Sequence, residues 1–120
     1  MAIVISNDIS VEVDLIARRG DSYDREFVVK DSTSASYNFA GYSAKMQIKI
    51  NQNDAASVLE LTSTSGISLS TGLLVISISK TTLKDILPRN YYYDLEITYP
   101  TTKVKTWLRG KFSINQDVTR

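Results

Sequence analysis

The residue types that most often carry enzyme chemistry are absent from this chain. It has 120 residues and contains no Cys and no His. The absence of Cys excludes disulfide and thiolate chemistry, and the absence of His removes the commonest general base and transition-metal ligand. Ser residues are plentiful, yet no His is present to activate one as a nucleophile. Any catalytic or metal site would therefore have to be built from carboxylates.

Three groups of acidic residues are candidates for such chemistry. Asp94 and Glu96 would lie on one face of a strand about 7 Å apart, a spacing that a glycosidase pair could use. Cationic residues on the next strand offer both of them partners, so we interpret the pair as a solvated strand face. The acidic and amide residues within 21–26 and 51–54 lack the spacing of a calcium-binding loop. We predict no enzymatic activity, no metal and no cofactor.

A basic strand with one large aromatic residue is the strongest candidate binding surface. Alternation places Trp107 on one face with four cationic residues, Lys103, Lys105, Arg109 and Lys111. Such surfaces contact proteins, single-stranded nucleic acid or sugars. Because 14 basic residues stand against 13 acidic ones, the charge does not favour nucleic acid. We predict a protein contact at Tyr92, Lys105, Trp107 and Arg109, with structural packing of Trp107 or ligand binding as the alternatives.

Alternating hydrophobicity indicates an all-β chain. The period-two segments are 11–17, 23–29, 44–50, 58–61, 67–70, 74–78, 91–99 and 104–114. One helical turn is predicted near 80–87, capped by Ser79 or Thr81 and ended by Pro88. Short strands at about ten-residue spacing are typical of a β-sandwich or a small barrel. We predict a single antiparallel β-sandwich, immunoglobulin-like, over residues 11–120.

The last two strands have faces distinct enough to predict their register. An antiparallel hairpin keeps its apolar faces together, because a slip of one residue would invert one strand. We therefore predict Leu95 opposite Leu108, Asp94 opposite Arg109, and Glu96 opposite Trp107. Of the three consecutive tyrosines, the outer two are predicted to point inward and Tyr92 outward.

Residues 1–10 are predicted to form an extended arm. Four apolar side chains in it are costly to leave in water: Ile3, Val4, Ile5 and Ile9. The arm either docks on a neighbouring protein or frays, as terminal segments commonly do. No basic region precedes its short apolar run, and no segment approaches the length of a membrane span. We therefore expect folding in the cytosol and no membrane partner.

Five short motifs follow one another along residues 11–120. They are Ala-Arg-Arg-Gly-Asp-Ser-Tyr at 17–23, Phe-Ala-Gly-Tyr-Ser-Ala-Lys-Met-Gln-Ile at 39–48, Leu-Glu-Leu-Thr at 59–62 before Gly66, Tyr-Tyr-Tyr-Asp-Leu-Glu-Ile at 91–97, and 108–120, which ends Asp-Val-Thr-Arg. Together this set resembles a family of small virion proteins of tailed phages and prophages that have an immunoglobulin-like β-sandwich.

The resemblance implies a non-enzymatic structural protein of a virion that is assembled in the host cytoplasm. Its partners would be other virion proteins and copies of itself in a symmetric assembly, with a tail, neck or baseplate favoured over capsid decoration. The expected contacts are the arm, the face around Trp107 and the tail that ends at Arg120. The alternative is a carbohydrate-binding host-recognition module with Trp107 and Tyr92 as platforms.

Overall fold

The computed structural model describes the backbone of residues 2–4, and residues 11–31 and 33–116. Strands make up 57% of the chain and helix 5%, which confirms the mostly β prediction. The elements of the described residues are β1 Ala2–Val4, β2 Val11–Glu12, β3 Leu15–Arg18, β4 Tyr23–Lys30, β5 Ser43–Lys49, β6 Leu59–Thr62, β7 Ile67–Ser70, β8 Leu73–Ile78, α1 Lys80–Lys84, β9 Arg89–Thr98 and β10 Val104–Asn115.

The strands form two sheets. The smaller sheet has the order β1-β4-β8-β7, and the larger has the order β2-β10-β9-β5-β6, with β3 also paired to β10. Most pairs are antiparallel, but β1 runs parallel to β4, and β2 and β3 run parallel to β10. The predicted antiparallel pairing is therefore confirmed for most of the strands, and these three parallel pairs depart from it. Parallel pairs need long connections, and nearly the whole chain lies between β3 and β10.

One hydrophobic core lies between the sheets. Phe27 and Leu74 enter it from the smaller sheet, and Met46, Leu95 and Phe112 enter it from the larger. Each belongs to a strand whose side chains alternate between the core and the surface, as the period of two requires. No charged residue in the described part of the chain is buried. The core is thus built mainly from the inward faces of the predicted strands, and Phe39, Leu83, Ile86 and Trp107 join it from outside that pattern.

The connection between β8 and β9 contains the helix α1. Ser79 is its N-cap, and its hydroxyl accepts a hydrogen bond from the backbone N–H of Thr82 at 3.1 Å. After the helix, the hydroxyl of Tyr91 donates to the carbonyl oxygen of Leu87 at 2.6 Å. This bond ties the start of β9 to the segment that precedes it.

A β-bulge interrupts the pairing of β9 with β10. Leu95 lies opposite Leu108 and Asp94 opposite Arg109, which confirms those two predicted pairs. The register then shifts between Thr106 and Leu108, so that Glu96 lies opposite Thr106. The predicted Glu96–Trp107 pair is wrong because a bulge inserts one extra residue into one strand.

The predicted arm is described only in part. The backbone of Ala2–Val4 pairs with Val28–Lys30 as the edge strand β1 of the smaller sheet. The side chains of Ile3 and Val4, and residues Ile5 and Ile9, lie outside the described residues, as does Arg120. Contact of these side chains with another protein stays a prediction.

Candidate binding face on the larger sheet

The outer face of the larger sheet carries an aligned row of polar side chains. Cross-strand register places one residue from each of five strands side by side: Glu12, Arg109, Asp94, Gln47 and Glu60. The next row places Tyr92 between Lys111 and Lys49. Directly opposed residues in a sheet point to the same side, so both rows face away from the core.

These two rows border a groove of about 350 Å³. Among the side chains that line it are Glu12, Gln47, Lys49, Tyr92, Asp94 and Arg109. Tyr92 and Arg109 were both predicted as contact residues, and the structure brings them together here. Glu12 and Gln47 were missed, because their strands reach this face through pairings between distant parts of the sequence.

The break between β2 and β3 is held against β10 next to two residues that line the groove, Glu12 and Gly110. The backbone N–H of Val13 donates to the carbonyl oxygen of Arg109 at 2.8 Å, and Asp14 Oδ1 accepts from the N–H of Lys111 at 3.1 Å. A Cβ on Gly110 would lie 2.4 Å from the Val13 carbonyl oxygen, and Gly110 has a φ of +151°. Glycine is therefore required where these strands approach, and the approach holds Glu12 beside Arg109.

Both cationic and acidic side chains lie on this face, but only some of those described form ion pairs. Lys45 Nζ lies 4.0 Å from Glu96 Oε1, and Gln47 Nε2 donates to Glu60 Oε2 at 2.8 Å. Arg109, which stands between two carboxylate residues in the register, makes no salt bridge within the described residues. The guanidinium of Arg109 is therefore available to an incoming ligand.

Trp107 does not lie on this face, and its predicted outward orientation is wrong. Only 6% of Trp107 is exposed, because the bulge turns it and Leu108 both toward the core. Trp107 Nε1 donates to the hydroxyl of Tyr99 at 3.0 Å. The indole belongs to an aromatic cluster that we define by its rings: Tyr37, Phe39, Tyr42, Tyr99 and Trp107.

Lys105 is separated from Arg109 by the same bulge. It lies opposite Ile97, which is fully buried, so Lys105 shares the inner side of the sheet with Ile97. The predicted basic stripe with alternate residues on one face is therefore broken at Trp107. Of the predicted contact residues on the last two strands, Tyr92 and Arg109 share the groove, whereas Lys105 and Trp107 do not line it.

The resolved pKa shifts belong to buried tyrosines and to one turn. Burial raises the pKa of Tyr23, Tyr91 and Tyr93. Burial, together with neighbouring tyrosines, raises the pKa of Tyr37 in the aromatic cluster. The hydrogen bond from the Thr33 hydroxyl is the main cause of the lowered pKa of Asp31. The raised pKa values keep these tyrosine hydroxyls protonated to higher pH, and the lowered pKa keeps the Asp31 carboxylate ionised to lower pH.

The arrangement is suited to noncovalent binding. Within the described ranges, no three His, Cys, Asp or Glu side chains gather closely enough to hold a metal ion. No described helix is long and apolar enough to cross a membrane. What the face offers is a set of hydrogen-bond donors and acceptors beside one aromatic ring.

Comparison with known proteins leaves the geometry as the main guide to function. No protein-family model matches the chain, and no curated protein matches it.

Proposed function

We propose that the chain is a non-enzymatic structural module with an immunoglobulin-like β-sandwich, and that it serves as a component of a tailed-phage virion. Its partners are other virion proteins and further copies of itself. A tail, neck or baseplate position is favoured, and capsid decoration is the second placement.

The observation that carries the proposal is the strand order combined with the bond at the start of β9. The orders β4-β8-β7 and β5-β9-β10 correspond to the B-E-D and C-F-G strands of an immunoglobulin-like sandwich, whereas β1, at the position of strand A, departs from that antiparallel sheet by running parallel to β4. In that fold, a tyrosine near the start of strand F donates its hydroxyl to the backbone a few residues upstream. Tyr91, near the start of β9, makes a similar bond, because its hydroxyl donates to the carbonyl oxygen of Leu87.

A structural role is supported by what the surface offers. Leu87 and Ile16 are the most exposed large hydrophobic residues in the described part of the chain, at 71% and 66%. Burying such side chains against a neighbour removes apolar area from water, which favours association. The ordered motifs at 17–23, 39–48 and 91–97, which resemble those of small virion proteins, support the virion as the place of assembly.

The proposal is tested on purified phage particles from the strain that encodes the chain. Mass spectrometry should find the protein at a fixed ratio to the other virion proteins, and single-particle imaging should place it in a symmetric position. Absence of the protein from particles that are otherwise complete would overturn the proposal.

A matched pair of variants tests the contact surface. Replacing the two exposed hydrophobic residues, Leu87→Ser with Ile16→Ser, should lower incorporation into particles while the far-UV circular dichroism spectrum is retained. Ser77→Ala, an exposed position on the smaller sheet, should leave incorporation unchanged. Equal incorporation of all variants would show that the neighbours contact another surface.

A further inference from the structure

The groove on the larger sheet has the volume of a small-ligand site. At about 350 Å³, it lies within the range of roughly 300–1,000 Å³ that is typical of ligand pockets. It differs from most such pockets in that its walls are mainly polar. A polar ligand that can satisfy many hydrogen bonds at once is therefore favoured over an apolar one.

The walls supply donors and acceptors together. Arg109 and Lys49 can only donate, whereas Glu12 and Asp94 accept when ionised. Gln47 uses one N–H on Glu60 and keeps its carbonyl oxygen as an acceptor. Vicinal hydroxyls match this set, because each hydroxyl both donates and accepts and adjacent hydroxyls can bridge neighbouring side chains.

Tyr92 adds a partly exposed ring to the polar walls. It is held between Lys49 and Lys111 in the register, and the two flanking tyrosines of β9 are buried. An aromatic ring presents a face with partial negative charge. The C–H groups on one side of a sugar ring can therefore pack on it while the hydroxyls reach the walls.

The charge of the walls selects against ionic ligands. Two cations, Lys49 and Arg109, are matched by two carboxylates, Glu12 and Asp94. A phosphate-rich ligand such as nucleic acid would meet both carboxylates, and nucleic-acid affinity depends on neutralising phosphates with unopposed basic residues.

We infer that the groove is a binding site for a neutral saccharide. The site is independent of the assembly role proposed above, which rests on Leu87, Ile16 and the strand order. It also differs from the platform expected from the sequence, because Trp107 takes no part in it. Arg109, Asp94 and Glu12 bind hydroxyls, and Tyr92 packs against the sugar ring.

Titration by two-dimensional amide NMR with defined neutral trisaccharides tests this inference. The panel contains gluco-, galacto- and N-acetylhexosamine-configured sugars. At least one sugar should shift amide signals of residues 92–94 and 109–110 in a saturable way. Tyr92→Ala should weaken that binding about tenfold, the size expected for loss of a well-packed aromatic contact.

Three further variants complete the test. One removes a second groove residue, and two are controls for nonspecific loss of binding. Tyr92→Phe keeps the ring and should retain binding, and Arg109→Ala should weaken it. Leu87→Ala, outside the groove, should change nothing in the titration. The inference is overturned if no sugar in the panel shifts these amides, or if Tyr92→Ala binds as tightly as the parent protein. Incorporation of Tyr92→Ala into particles separates this outcome from that of the assembly proposal.

Discussion

The aromatic cluster and the groove meet along β10, at Trp107 and Arg109, and they use aromatic and polar residues in opposite ways. In the aromatic cluster, polar atoms bind one another: the Tyr37 and Tyr42 hydroxyls lie 3.0 Å apart, and the Trp107 N–H donates to Tyr99. In the groove, Tyr92 and Arg109 remain accessible to solvent. The first region closes the interior of the fold, whereas the second leaves donors and acceptors open to a ligand.

The bulge is what separates these regions. Leu108 faces the core and Arg109 faces outward, as strict alternation requires. One step before Leu108 the alternation is broken, so Trp107 also turns inward. A single extra residue therefore converts a predicted surface platform into a core anchor.

The largest expected effect is the loss of stability when Trp107 is removed from the aromatic cluster. Trp107→Ala should lower the free energy of unfolding by about 3–5 kcal/mol, because it removes a buried aromatic side chain and leaves a cavity. Urea denaturation followed by far-UV circular dichroism measures the change. A loss below about 1 kcal/mol would mean that Trp107 is not part of the core, and it would contradict the contrast between the aromatic cluster and the groove.

Alkaline pH should destabilise the fold through its buried tyrosines. The raised pKa values of Tyr23, Tyr37, Tyr91 and Tyr93 mean that the folded protein keeps protons which the unfolded chain releases near pH 10. Their contribution to stability is present below about pH 10 and is lost as the pH rises above it, at up to about 1.4 kcal/mol per pH unit for each group. Urea midpoints at pH 8, 10 and 11 measure this loss. Unchanged midpoints would contradict it.

Removal of one buried hydroxyl should have a smaller effect. Tyr91→Phe deletes the bond to the Leu87 carbonyl and should lower the free energy of unfolding by about 1 kcal/mol. Tyr92→Phe is the matched control on the adjacent, outward position and should change stability little. Equal effects of the two substitutions would argue that the bond at the start of β9 does not stabilise the fold.

The smallest effect is expected in the groove itself. Tyr92→Ala should stay within about 0.5 kcal/mol of the parent protein, since surface substitutions rarely exceed that value. The same urea titration provides the measurement. A loss comparable to that of Trp107→Ala would make Tyr92 a structural residue and remove the contrast between the regions.

Local patterns in the sequence were sufficient to predict most of the strands and part of the groove. Alternation predicted β4, β5, β8, β9 and β10 closely, and it correctly paired Asp94 with Arg109. It also predicted that Tyr92 points outward. These features depend on neighbouring residues or on one hairpin, where the side-chain period of two is decisive.

Features that depend on distant contacts could not be predicted in this way. The parallel pairing of β2 with β10, which brings Glu12 to Arg109, joins residues that lie almost a hundred positions apart in the sequence. The bulge at Trp107 adjusts β10 to rings from residues 37–42, a segment without periodicity. The local pattern of β10 predicts neither its pairing with β2 nor its contact with these rings.

Trp107 is the sole tryptophan of the chain, so its fluorescence reports directly on the side to which the bulge turns it. We predict an emission maximum of the folded protein at shorter wavelength than in urea, with weak quenching by acrylamide that becomes strong on unfolding. Emission and quenching in the folded protein equal to those of the unfolded chain would place Trp107 in solvent and contradict the division between aromatic cluster and groove.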